Sequence, residues 1–183
     1  MESQPIQHIR SLAYGYVQVY TGDGKGKTTA ALGLALRAAG HGLRVYIGQF
    51  MKGQPYGELN ALAGHPRIRI EQYGEPQCIH RDEVTRHHIA LAEQGLRCAR
   101  AAMLSGEYDI VVLDEINVAI WFGLLDSDDV LSLIEQKPAR VELVLTGRKA
   151  PREIIERADL VTEMREVRHY YARGVMARDG IER

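Results

Sequence analysis

The feature that most constrains this chain is the run Thr21-Gly22-Asp23-Gly24-Lys25-Gly26-Lys27-Thr28-Thr29, set between an apolar segment and an alanine-rich one. Tyr16–Tyr20 (YVQVY) reads as a strand. Lys27–Ala39 reads as a helix, with Ala30, Ala31, Leu34, Ala35 and Ala38 at helical spacing. A strand that runs through glycines into a helix makes an anion cradle. Glycines let backbone N–H groups turn inward, and the helix N-terminus adds partial positive charge. Lys27 is placed to reach phosphate oxygens, and the Thr28 hydroxyl to bind Mg²⁺ or Mn²⁺. The usual phosphate-loop pattern has a glycine where this chain has Thr21, and Gly22 follows one residue late. The loop is therefore either tighter than usual or capped by a threonine.

The rest of the chain alternates short apolar runs with helical patterns. Leu43–Phe50 and Ile68–Tyr73 read as strands and Val84–Leu104 as a long helix. Tyr108–Asp114 is an apolar strand suited to a position buried on both faces. Asp128–Gln136 reads as a helix capped by Ser127. Val141–Thr146 follows as a strand, Pro151–Ala158 as a helix with Pro151 in its first turn, and Leu160–Arg165 as an edge strand. Residues 51–83 are loop-rich, and the polar tail Val167–Arg183 yields no assignable element. With 183 residues, the pattern predicts one domain over 1–183, with 1–15 as a flexible N-terminal segment. The expected class is α/β: a three-layer, P-loop NTPase-like (RecA-like), mostly parallel sheet flanked by helices.

Two further strand ends carry chemistry. Val111-Val112-Leu113 runs into Asp114-Glu115, and in phosphate-loop proteins an acid there holds Mg²⁺, directly or through water. The spacing does not say which acid touches the metal. Leu145-Thr146-Gly147 ends at Arg148, which could pair with phosphate oxygens from a strand's carboxyl end. The charge balance, 23 basic against 24 acidic residues, offers no basic field for nucleic acid. The first residues lack an apolar signal core, and no apolar stretch is long enough for a spanning helix. A cytoplasmic protein without membrane or nucleic-acid partners is expected. Cys78 and Cys98 cannot build a disulfide framework. Cys78, His80, His87 and His88 have poor metal-ligand spacing, since adjacent helical histidines point about 100° apart.

Together the segments TGDGKGKTTAALGLALRAAGHGLRV, QFMKG, VVLDEIN, LTGR and ADLVTEMREVRHYYARGVMARDGIE, in that order, resemble the P-loop-type ATP:corrinoid adenosyltransferases of cobalamin synthesis and salvage. The resemblance runs from about Val17 to Glu182. It implies a transferase that moves the 5′-deoxyadenosyl group of ATP to the Co(I) centre of a reduced corrinoid, cobalamin or cobinamide, releasing triphosphate. It implies that Gly22, Asp23, Gly24, Lys25, Gly26, Lys27, Thr28 and Thr29 hold the triphosphate, with Arg37 and Arg148 as further phosphate or nucleotide contacts. Thr28 and either Asp114 or Glu115 would bind the metal, and Lys27, Thr28 and Glu115 form the catalytic set. Gln49, Lys52 and Glu58 match the family's QF-x-KG…GE segment. A homodimer and a reductase that makes Co(I) are implied as well.

One departure stands out. One type within the family carries a phenylalanine and a tryptophan a few residues after the third strand that displace the corrinoid's lower ligand, whereas this chain reads Tyr73-Gly74-Glu75-Pro76-Gln77-Cys78-Ile79-His80. Either Ile79, Tyr73, or Trp121 and Phe122 supply that wedge, or the preferred corrinoid lacks a strong lower ligand. Two other classes fit the phosphate loop alone: an NTPase or small-molecule kinase, and a non-catalytic nucleotide or corrinoid binder. Release of ADP or phosphate would mark the first, and tight binding without turnover the second.

Overall fold

The computed structural model describes residues 11–182. Six strands, β1 (Val17–Thr21), β2 (Val45–Phe50), β3 (Ile68–Tyr73), β4 (Ile110–Asp114), β5 (Glu142–Thr146) and β6 (Leu160–Glu163), form one sheet in the order β3-β2-β4-β5-β1-β6. Every pairing is parallel. Helices α1 (Lys27–Gly40), α2 (Gly57–Leu62), α3 (Arg86–Leu104), α4 (Ile116–Trp121), α5 (Ser127–Glu135) and α6 (Arg152–Arg157) supply the crossovers, with short 3₁₀ turns at Arg81–Glu83 and Tyr170–Arg173.

Strand alternation sends each side chain to one of two cores. Val45, Ile47, Ile110, Val112 and Val144 face Ala31, Ala35 and Ala38 of α1 and Leu62 of α2. Tyr46, Phe50, Val111, Leu113, Leu143 and Leu145 face Ala92, Leu96 and Ala99 of α3, Ile116 of α4, Val130 of α5 and Ile154 of α6. All five residues of β4 and of β5 are buried, as a strand covered on both faces requires. The steps β1 to β2 to β3 travel toward one edge beneath α1 and α2. The steps β3 to β4 to β5 to β6 travel back beneath the other helices. Crossovers of a single hand put opposite directions of travel on opposite faces. The result is the three-layer α/β arrangement expected from the sequence, with the sheet wholly rather than mostly parallel.

The differences are local. Val84 lies outside α3, because the chain first makes the 3₁₀ turn and Thr85 then caps the helix by accepting from the His88 backbone N–H. Asp126 rather than Ser127 stands at the N-cap of α5, and Pro151 precedes α6 instead of lying in its first turn. Two helices, α2 and α4, lie where the sequence marks none: each has only 6 residues, too short to show periodicity, and unlike α6 of the same length neither follows directly on a proline. Residues 1–10 of the expected flexible segment lie outside the described residues. In the remainder, Leu12 packs on the α1 core and Gly15 is tied to Ala139 and Lys137. No helix among the described residues is long and apolar enough to cross a membrane.

Candidate active site

The carboxyl ends of β1, β2, β4 and β5 converge, and the loops that leave them line a cleft of about 940 Å³, where ligands collect in parallel sheets. Helix α1 starts at Lys27 with no side-chain cap and no acid in its first turn. Its first backbone N–H groups and its dipole are left to the cleft. Asp23, Gly24, Lys25, Gly26, Lys27, Thr28, Thr29, Glu115 and Arg148 all line it.

The structure explains the displaced glycine. Thr21 is the last residue of β1, paired with Glu163 of β6, and its hydroxyl accepts from the Ala150 N–H at 3.3 Å. The loop begins at Gly22. The chain leaving β6 lies directly on it: Gly24 N–H donates to the Met164 carbonyl at 2.7 Å. A Cβ on Gly22 or Gly24 would come within 2.4 or 2.7 Å of that carbonyl oxygen. Glycine stands there because a neighbouring backbone fills the space a side chain would need.

Lys27 is buried, and its Nζ donates to the Gly22 and Gly24 carbonyls at 2.7 Å each. Burial pulls its pKa down, with Arg148 adding to that and Glu115, Asp23 and Asp114 opposing it. Asp114 lies at the bottom of the site and is saturated. Its Oδ1 accepts from Thr28 Oγ1 at 2.9 Å and Thr146 Oγ1 at 2.7 Å, and its Oδ2 from Lys52 Nζ at 2.8 Å and Gln49 Nε2 at 3.2 Å. Gln49 also donates to Glu58 at 3.0 Å, and Lys52 lies 3.8 Å from Glu58. Burial depresses the Lys52 ammonium, but Asp114, Glu115 and Glu58 outweigh burial and hold it above its ordinary value.

Glu115 differs from its neighbour. It takes a left-handed backbone at φ 62°, and its N–H is fixed by Thr146 Oγ1 at 2.9 Å. Its carboxylate faces the cleft and makes no hydrogen bond among the described residues. Burial, with the Asp114 charge beside it, raises its pKa.

Arg37 is the predicted contact that lies far from the cleft. It is exposed in the last turn of α1, about 15 Å along the helix from Lys27 at the usual rise per residue. Gly22 contributes through its carbonyl and does not line the cavity. Of the residues considered for the corrinoid wedge, Tyr73 is buried and its hydroxyl donates to Glu71 at 2.6 Å. Trp121 is exposed, with the Arg81 guanidinium 5.7 Å over its ring and Phe122 beside it. Ile79 sits in a small pocket with Met51 and Leu124. His87 and His88 both face Glu75 at 3.4 Å.

Several contributors were not read from the sequence. Gln49, Lys52 and Glu58 had matched a family segment without a role, yet they form the polar floor under Thr28. The tail supplies a whole wall: Glu166, His169, Tyr171, Ala172 and Gly180–Glu182 line the cleft. Glu182 pairs with Lys25 at 2.8 Å and accepts from Tyr170. Only the position of Gln49 at a strand's carboxyl end could have signalled the floor, and nothing local signals the wall.

A wholly parallel α/β sheet with a glycine loop at its first strand end and an Asp-Glu pair at a central one defines a protein of the phosphate-loop type. The chain belongs to the ATP:corrinoid adenosyltransferase family, described as ATP:corrinoid adenosyltransferase BtuR/CobO/CobP, whose profile matches residues 13–183. It is 38% identical over 173 residues to Corrinoid adenosyltransferase CobA of Salmonella typhimurium, covering 92% of this chain and 85% of that one. It is 38% identical over 170 residues to Corrinoid adenosyltransferase of Pseudomonas aeruginosa, covering 92% and 83%. An uncharacterized protein of Nostoc sp. is also 38% identical over 170 residues, but the match spans only 45% of that longer protein.

Proposed function

We propose that this chain, acting as one domain, transfers the 5′-deoxyadenosyl group of ATP to the cobalt of a reduced corrinoid. The lone pair of Co(I) attacks C5′, the C5′–O bond breaks, and triphosphate leaves with that electron pair. What carries the reading is the match of residues 13–183 to the family, joined to a cleft whose cationic cradle sits at one end. A leaving triphosphate gains charge as the bond breaks. Groups already fixed around it stabilise the transition state more than the ground state. The N–H groups of α1 are fixed in this way, and Lys25, Lys27 and Arg148 would turn to the triphosphate as it fills the cleft. Occupation of the loop would recruit Lys27 from the Gly22 and Gly24 carbonyls to phosphate oxygens.

The donor set also fits Mg²⁺, which favours hard oxygen ligands: a hydroxyl at Thr28 and carboxylates at Asp114 and Glu115. Bound there, the ion would neutralise charge on the triphosphate. Asp114 already holds four donors, so its part is to orient Thr28, and Glu115 has the open carboxylate. The same reading carries a reductase supplying the electron for Co(I), a homodimeric assembly and a cytoplasmic setting.

The decisive experiment is anaerobic. Protein, ATP, Mg²⁺ and chemically reduced cobalamin or cobinamide are mixed, and Co(I) absorbance and phosphate products are followed. Adenosylcorrinoid with one triphosphate per turnover, lost in Lys27→Ala, is expected. ADP or orthophosphate without a cobalt–carbon bond would overturn the proposal.

A further inference from the structure

Asn117 is completely buried, with 0% exposure. Its Nδ2 donates to the Gly147 carbonyl at 3.2 Å. Its Oδ1 has no partner among the described residues. A buried acceptor left unmade carries a penalty that an apolar side chain of the same volume would avoid. The amide therefore stands against the packing interest of α4, and the one bond it makes must account for it.

That bond goes to a demanding turn. Gly147 has φ 127°, a conformation that side-chain-bearing residues rarely adopt. A Cβ there would lie 3.1 Å from both Asn117 Cβ and the Val118 nitrogen. Gly147 N–H donates to the Tyr20 carbonyl at 3.1 Å, so the turn is pinned between β1 on one side and Asn117 on the other. The next residue is Arg148, exposed and lining the cleft, with no ion pair among the described residues. The backbone at this turn sets where its Cα–Cβ bond starts into the cleft. Thr146, one residue earlier, is tied to Asp114 and to the Glu115 N–H. The segments Asp114–Asn117 and Thr146–Arg148 are thus bolted together at three points.

We propose that Asn117 is a positioning residue: by holding the Gly147 carbonyl it aims Arg148 at the phosphate groups in the cleft. This rests on the functional reading above, but concerns only the triphosphate end of the site.

The test is a double-mutant cycle on the affinity for inorganic triphosphate with Mg²⁺, read by calorimetry without corrinoid, alongside thermal melting. Asn117→Leu fills the volume and removes the unmade acceptor. It also leaves the Gly147 carbonyl without this donor, so the two effects offset and it is expected to melt near the wild-type temperature while binding triphosphate about tenfold more weakly, the scale of a charge-assisted contact. Arg148→Ala is expected to weaken binding by a similar factor. The double variant should bind no more weakly than Arg148→Ala alone. Unchanged affinity in Asn117→Leu, or losses that add in the double variant, overturns the proposal. If Asn117→Leu fails to fold, Asn117→Ala carries the same cycle; if both fail, Asn117 serves the fold and the proposal is wrong. A chain that binds triphosphate with this coupling yet makes no cobalt–carbon bond refutes the transfer reading alone.

Discussion

Two adjacent carboxylates at the end of β4 have been given different surroundings. Asp114 is 1% exposed and meets four donors; Glu115 is left open. Asp114→Asn would leave the Lys52 ammonium, largely buried, without its main counter-charge. It is expected to destabilise the protein by about 3 kcal/mol, the scale for breaking a buried pair, measured by chemical denaturation. Glu115 behaves in the opposite sense. Its folded pKa is raised, so the folded state holds the proton more tightly than the unfolded chain. The stability tied to that proton is fully present below the unfolded carboxylate pKa and is lost as pH rises through the folded value. Glu115→Gln should therefore raise the melting temperature at neutral pH, by about 0.5–2 kcal/mol in stability, and flatten its decline above the carboxylate range. The same variant should weaken Mg²⁺-dependent triphosphate binding. A variant less stable than wild type at pH 7 would contradict the assignment. Lys27→Ala should lower the rate of triphosphate release at least 100-fold, about what one preorganised donor to a developing oxyanion supplies.

At the scale of elements, the decisive contact is the docking of the chain after β6 on the phosphate loop. Strand β6 is exposed along its length and, among the described residues, pairs with β1 alone, so it contributes little apolar burial. Its value lies in bringing Met164 to Gly24. Gly24→Ala drives a Cβ against the Met164 and Arg165 backbone, 2.7–2.9 Å away, and one of the two segments must move. A loss of about 2 kcal/mol is expected from such a backbone clash, with a fall in ATP affinity greater than the same change at Gly33, which has nothing within 4 Å. Equal effects at both sites, in melting and in nucleotide titration, would remove the loop from this account.

On the whole-molecule scale, the two cores and the sheet are complete before residue 164, and the cleft is not. Residues 166–182 close it, while most of that segment stays exposed. A chain ended after Arg165 is expected to keep one cooperative melting transition and to bind ATP at least tenfold more weakly, since the Lys25–Glu182 wall is gone. Loss of cooperative folding in circular dichroism would show instead that the tail belongs to the fold.

The elements that agree with the sequence reading are those whose evidence is local. The Lys27 helix repeats alanine at helical spacing, and β4 and β5 are unbroken apolar runs, so periodicity and burial point the same way. The phosphate loop, the Asp-Glu strand end and the TGR turn were legible because each combines a distinctive residue set with a strand end. Helices α2 and α4 were not, since a helix of 6 residues lacks two full turns and is held by packing rather than by pattern; α6, equally short, was legible through Pro151 at its start. The meeting of Gln49, Lys52 and Glu58 on Asp114 depends on β2 lying beside β4 in the sheet, which pairs Gln49 with Asp114. The distance of Arg37 from Lys27 follows already from the helix read in the sequence, ten residues along at the usual rise. Closure of the cleft by the tail depends on β6 returning next to β1. Local chemistry of the chain was enough for the fold class and for the loop and strand ends that the structure gathers at one cleft. Strand order, a property of distant segments competing for the same neighbours, decided which side chains share that site.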